Sequence, residues 1–130
     1  MDGISVPISP GELLDKITIL RIKAARIEDA AKLANVRREL ALLEQLWRAA
    51  VAEPAELAGE EAALERINGL LWDTEDRIRE HEARQRFDSA FVELARSVYL
   101  NNDERAAIKL RINRKLNSAI VEEKSYAPYR

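Results

Sequence analysis

The sequence predicts an all-α protein, a bundle of four to five helices with a long N-terminal helix at its centre and short extended segments at both ends. Three observations point that way. Of 130 residues, 47% are hydrophobic and 34% charged, with only four glycines and four prolines, which is the balance of a folded helical chain and not of a disordered one. Apolar residues recur at spacings of three and four along most of the length, the period of amphipathic helices. The first such segment is apolar on nearly every side and so demands partners on more than one face. At this length one core is the default, a single domain over residues 1–130 that folds without metal or disulfide.

Ahead of the first helix, Ile4, Val6 and Ile8 alternate with Ser5, Pro7 and Ser9, a short strap whose proline confines it to an edge. Ser9 at the N-cap, Pro10 at the first helical position and Glu12 two residues on form a capping box worth about 1 kcal/mol, so the helix begins at Pro10. At 100° per residue Leu13, Ile17, Leu20, Ala24 and Ile27 share one stripe. Leu14, Ile19, Ile22 and Ala25 make a second, which needs burial at the centre of a bundle or in a subunit interface; these four are the interface candidates.

The apolar register shifts between Ile27 and Val36. That predicts a break or kink near residues 29–35, with Asn35 as N-cap; one continuous helix with a stutter is the competing reading. Val36, Leu40, Leu43, Trp47 and Ala50 then carry a second helix. Pro54 and Gly59 bracket a surface connection, and Leu64, Ile67, Leu71, Thr74 and Ile78 carry a third. Phe87, Phe91, Leu94 and Val98 define a fourth, capped by Asp88. Asn101-Asn102-Asp103-Glu104 is expected to interrupt it, leaving Ile108, Ile112 and Leu116 on a fifth that ends in a left-handed Asn117. The tail from Ile120 to Tyr129 starts apolar, turns charged and ends in tyrosines, and is expected to dock partly on the bundle, with a place beside the strap as one position for it.

Lys and Arg total 21 against 23 Asp and Glu, a net charge of −2, which argues against nucleic acid and anionic membranes as partners. Residues 51–86 hold 5 basic and 10 acidic side chains, and residues 87–130 hold 8 and 6. Cysteine is absent, which removes disulfides, thiolate metal sites and cysteine nucleophiles and agrees with a cytoplasmic location. No stretch approaches the roughly 20 apolar residues that span a bilayer, and no leader pattern opens the chain.

Chemistry-bearing constellations are few. Asp73, Asp76 and Glu80, with Glu61 and Glu65 upstream, have the spacing to meet a hard cation, but ion pairs with Arg66, Arg77 and Arg79 account for them, so no metal or other cofactor is assigned. Arg21, Lys23 and Arg26, with Glu12 and Asp15 on the same helix, would form an anion pocket if they converged, and are the ligand-pocket candidates. Arg37 and Arg38 join them on the first hairpin. Arg105, Lys109, Arg111, Arg114 and Lys115 make the last helix basic, better suited to packing on the acidic third helix than to a phosphate backbone. His81 lacks partners for a zinc site or a triad and reads as a surface residue. Trp47 and Trp72 read as core anchors.

The strings GELLDKITILRIKAARI, KLANVRREL, LWDTEDRIRE, FDSAFVELARSVYLNNDERAAIKLRIN and EEKSY, spread over nearly the whole chain, resemble an uncharacterised family of small bacterial all-helical proteins. The resemblance implies a single bacterial domain and brings no activity, cofactor or site with it. Members tend to carry glycine where this chain has Asn117, and both residues tolerate a left-handed conformation. The function expected from the residues is an interaction or assembly module, homodimeric through the second face of the first helix. The alternative is a small all-α enzyme acting on an anionic metabolite or nucleotide, in the manner of chorismate mutases or metal-dependent pyrophosphohydrolases.

Overall fold

The computed structural model describes residues 1–129. They form four α-helices and one 3-10 turn: α1 (Pro10–Arg26), α2 (Ala30–Ala50), the turn (Pro54–Leu57), α3 (Ala58–Ala83) and α4 (Ser89–Lys115). No strand occurs among the described residues. Helix α1 packs against all three other helices, whereas α2 packs chiefly on α1, and α3 and α4 pair along their length.

Helix α1 starts at Pro10, where Ser9 Oγ accepts the Glu12 N–H at 3.2 Å. Only this half of the expected capping box forms, because the Glu12 carboxylate is held by Lys109 of α4 at 2.6 Å. The break after α1 is real but narrow. Asp29, not Asn35, caps α2 by accepting the Lys32 N–H, so residues 10–50 make a helical hairpin with a three-residue turn. A shorter turn leaves Asn35 inside the helix, where its side chain accepts from Arg38.

The fourth and fifth expected helices are one. Phe91, Leu94, Val98, Asn101, Arg105, Ile108, Ile112 and Leu116 follow one another at spacings of three or four, so the core-facing stripe never breaks. Asn101 and Arg105 are half-buried positions on that stripe, and the polar run 101–104 therefore continues the helix. Packing overrides the local preference of Asn and Asp for caps. Asn117 has φ 51°; its N–H reaches Arg114 O at 3.2 Å and the Ser118 N–H reaches Asn113 O at 2.9 Å, a Schellman ending. Gln85, φ 53°, ends α3 in the same way, with Arg86 N–H on His81 O.

The core is one cluster: Leu14 and Ile17 of α1, Trp47 of α2 and Val51 just beyond it, Leu57 of the turn, Leu64 and Ile67 of α3, and Ile108 and Ile112 of α4. The Pro54–Gly59 connection is not wholly superficial, since Leu57 is fully buried. Burial in α1 varies along the axis more than around it. Leu14, Ile17, Thr18 and Leu20 are buried, Ile19 and Ile22 are half-buried, and Ala25 is exposed. Of the four interface candidates, Leu14 belongs to the core, which leaves it nothing to offer a partner.

The open regions are as definite as the core. Past Thr74 in α3 and before Ile108 in α4 no residue is buried, and α2 buries only Trp47. Leu42, Leu46, Leu70, Phe87 and Val92 are each more than two-fifths exposed, as are Ile4 and Val6 of the strap. The strap and the tail share no backbone hydrogen bond among the described residues.

Candidate functional site

The most polar buried place in the molecule lies where the first two turns of α1 cross α4. The crossing is close because position 11 has no side chain: a Cβ on Gly11 would stand 2.5 Å from the Lys109 carbonyl oxygen and 2.8 Å from Asn113 Oδ1. The Gly11 N–H, one of the donors a helix start leaves free, is satisfied by Asn113 Oδ1 at 2.8 Å. That contact sets Glu12 and Asp15 against α4.

Asp15 is fully buried and accepts three hydrogen bonds from two side chains. Asn68 Nδ2 of α3 donates to its Oδ1 at 2.9 Å, Arg105 Nε donates to the same oxygen at 2.9 Å, and Arg105 Nη2 donates to Oδ2. Thr18 closes the ring, accepting from Asn68 at 3.0 Å and donating to the Asp15 carbonyl at 2.8 Å. The two-pronged carboxylate bond holds the Arg105 guanidinium above its ordinary pKa despite burial. Lys109 is buried too. Burial works against its charge, but bonds to Glu12 at 2.6 Å and Glu122 at 3.0 Å outweigh that and raise its pKa. No buried side-chain nitrogen or oxygen lacks a partner among the described residues, so the cluster is a closed network rather than a set of stranded charges.

Above this floor is an open cavity of about 910 Å³. Helix α4 supplies its base through Tyr99, Asn102, Asp103, Arg105, Ala106 and Lys109, Glu12 forms one wall, and the tail arches over it with Glu122, Lys124 and three residues from Tyr126 onward. Two clasps hold the tail. At one end Glu122 accepts from Lys124 at 2.8 Å and Lys109 at 3.0 Å, and these two ammonium groups hold its carboxyl down at about 2. At the other, the Tyr129 hydroxyl donates to Asp103 while its ring meets Tyr99 edge-on at 5.2 Å. The tail therefore docks on the bundle, as expected, and it does so on α4.

The ligand-pocket candidates divide. Glu12 and Asp15 reach this site; Arg21, Lys23 and Arg26 do not, because they lie farther along α1 toward α2 and α3. Arg21 is spread over Glu44, Glu61 and Glu65 at 3.0 to 3.4 Å, and Arg26 pairs with Asp73 with its guanidinium 6.0 Å from the centre of the Trp72 ring. Lys23 is half-buried on the same stretch. Three of the carboxylates weighed for a cation, Glu61, Glu65 and Asp73, are thus committed to arginines, and no group of three metal-ligating side chains assembles among the described residues. His81 sits at the α3 end with Nδ1 2.9 Å from the Arg86 carbonyl, half-buried against Phe91.

The basic residues of α4 split similarly. Lys115 meets Glu60 of α3 at 2.7 Å as the charge distribution predicts, but Arg105 and Lys109 turn inward to α1. Sequence reasoning missed them as site residues. Their signal was available in the pairing of Glu12 and Asp15, three apart, with Arg105 and Lys109, four apart: two short helical spacings of opposite sign that match when the helices run antiparallel.

Three of the five strings that carry the family resemblance meet here: GELLDKITIL gives Gly11, Glu12 and Asp15, NNDERAAIKLRIN gives Asn102 to Asn113, and EEKSY gives Glu122, Lys124 and Tyr126. No helix is long and apolar enough to cross a membrane. No curated protein and no solved structure matches the sequence. The profile of one family matches residues 4–129, and the chain belongs to that family, a family of unknown function (DUF6165).

Proposed function

We propose that this chain is an assembly module that works as a homodimer, in a reducing cytoplasm that its lack of cysteine suits. The observation that carries this reading is surface area. A folded monomer of 14.8 kDa is expected to expose about 7,000 Å², and this chain exposes 9149 Å². The surplus, about 2,000 Å², matches what one subunit contributes to an obligate dimer, whose interfaces bury roughly 2,000–5,000 Å² in total.

Helix α2 is the best seat for the second copy. Its inner stripe, Leu33, Val36, Leu40, Leu43 and Trp47, lies on α1, while Leu42 and Leu46 on the outer side are exposed and are followed one turn on by Ala49. Two α1–α2 hairpins joined through that face make a four-helix bundle, the usual way for a two-helix layer to bury both sides. Half-buried Ile19 and Ile22 and exposed Ala25 would lie at its margin.

Because the chain has no cysteine, a single Leu46→Cys substitution gives a clean test by oxidative cross-linking. The expected product is a disulfide dimer, with none from Arg111→Cys on α4. A Leu42→Glu, Leu46→Glu double variant should run as a folded species of half the mass. Failure of both variants to change anything would remove α2 from the interface.

A second reading, a small enzyme or binder of an anionic metabolite, is favoured by the cavity over α4, with Glu12 in its wall and Arg105 and Lys109 in its base.

A further inference from the structure

The tail is unlike any other part of the site. Between Val121 and Tyr129 it has no regular structure and no backbone hydrogen bond to another segment among the described residues, yet it places one carboxylate on two ammonium groups. Glu122 Oε2 is 3.0 Å from Lys109 Nζ and its Oε1 is 2.8 Å from Lys124 Nζ. Lys109 is only 8% exposed and is fixed from beneath by Glu12 and Asp15. A buried, preset ammonium facing an open cavity is a built anion position, and the group now on it belongs to a segment held by side chains alone.

We infer that the cavity over α4 binds a small organic anion, a carboxylate or phosphate ester with a ring for its body, and that Glu122 occupies the anion position until the ligand displaces it. The incoming anion takes the donors of Lys109 and Lys124. Arg105 adds a further one, since Nε and Nη2 are spent on Asp15 but Nη1 is not. The ring rests among Tyr99, Tyr126 and Ala106, where aromatic faces accept a planar body. A cavity of about 910 Å³ falls within the span of metabolite sites, roughly 300–1,000 Å³. Releasing Glu122 is easy because its side chain is already 40% exposed and regains water readily. The inference does not depend on the dimer.

Calorimetric titration with phenyl phosphate, phenylacetate and uncharged 2-phenylethanol tests it on the full chain. Both anions should bind the native protein, the alcohol should not, and the tighter anion identifies the headgroup. Glu122→Gln removes the competitor and should tighten binding about tenfold, while Lys124→Ala, on the exposed tail, should weaken it about tenfold. Thermal melts of the two variants check that both remain folded. Equal affinity across the three proteins, alcohol binding as tight as the anions, or no anion binding to Glu122→Gln would each overturn the inference.

Discussion

Between Leu14 and Leu20, α1 buries every apolar side chain except Ile19, whereas from Ile22 to Ile27 it buries none completely. The same helix, with similar composition, is core in one half and surface in the other. What differs is how the neighbouring helices meet it. The first half is sealed by apolar and polar contacts with α3 and α4, and the second half meets α3 through arginines, Arg21 on Glu61 and Glu65 and Arg26 on Asp73 and Trp72. An apolar circumference therefore says that a helix needs several partners, but not where along its length those partners seal it.

The contrast extends to charge. In the crowded half Asp15 is buried and held by Arg105 and Asn68; in the open half Asp73 is exposed and holds Arg26. Asp15→Ala should cost about 3–5 kcal/mol in urea unfolding, because it leaves the half-buried Arg105 without its counter-charge and Asn68 without an acceptor. Asp73→Ala should cost under about 1 kcal/mol. Equal losses would erase the distinction between the two halves.

A smaller effect sharpens the same comparison within the apolar set. Ile17→Ala opens a cavity in the core and should cost about 3 kcal/mol, against about 1 kcal/mol or less for Ile22→Ala at concentrations where the chain is monomeric. Growth of the Ile22→Ala penalty with protein concentration would place that residue against a second copy. Gly11→Ala should cost about 2 kcal/mol, because its methyl group meets the Lys109 carbonyl and a bonded Asn113 that cannot both move.

The smallest effect is acid release of the tail. Two lysines hold the folded-state pKa of Glu122 at about 2, below the ordinary 4.5, so the clasp contributes fully above the ordinary value and is lost only as pH falls through about 2. The Glu122 side-chain carboxyl carbon, followed by NMR, should keep the chemical shift of its ionised form from pH 7 to below pH 4. Its titration near the ordinary carboxylate value would mean that Lys109 and Lys124 do not hold Glu122 in solution.

Much of this fold was legible in the sequence. Ser9-Pro10 marks the start of α1, Asp88 caps α4, and Asn117 adopts the left-handed ending, because each signal is local chemistry acting over three or four residues. The run at Asn101–Glu104 misled for the complementary reason. Its local preference is for a cap, and only the unbroken stripe through Asn101 and Arg105, set by packing on α1 and α3, shows that the helix continues. The candidate site was half legible. Glu12 and Asp15 were on the page, but grouping them with Arg21, Lys23 and Arg26 assumed that residues on one helix share one site. Their true partners, Arg105 and Lys109, lie some ninety residues away, and only the close approach at Gly11 brings them in.

Sedimentation equilibrium of the native chain at micromolar concentration tests the central claim most directly. An exposed area this far above that of a compact monomer predicts twice 14.8 kDa. A single species at 14.8 kDa across that range would contradict it.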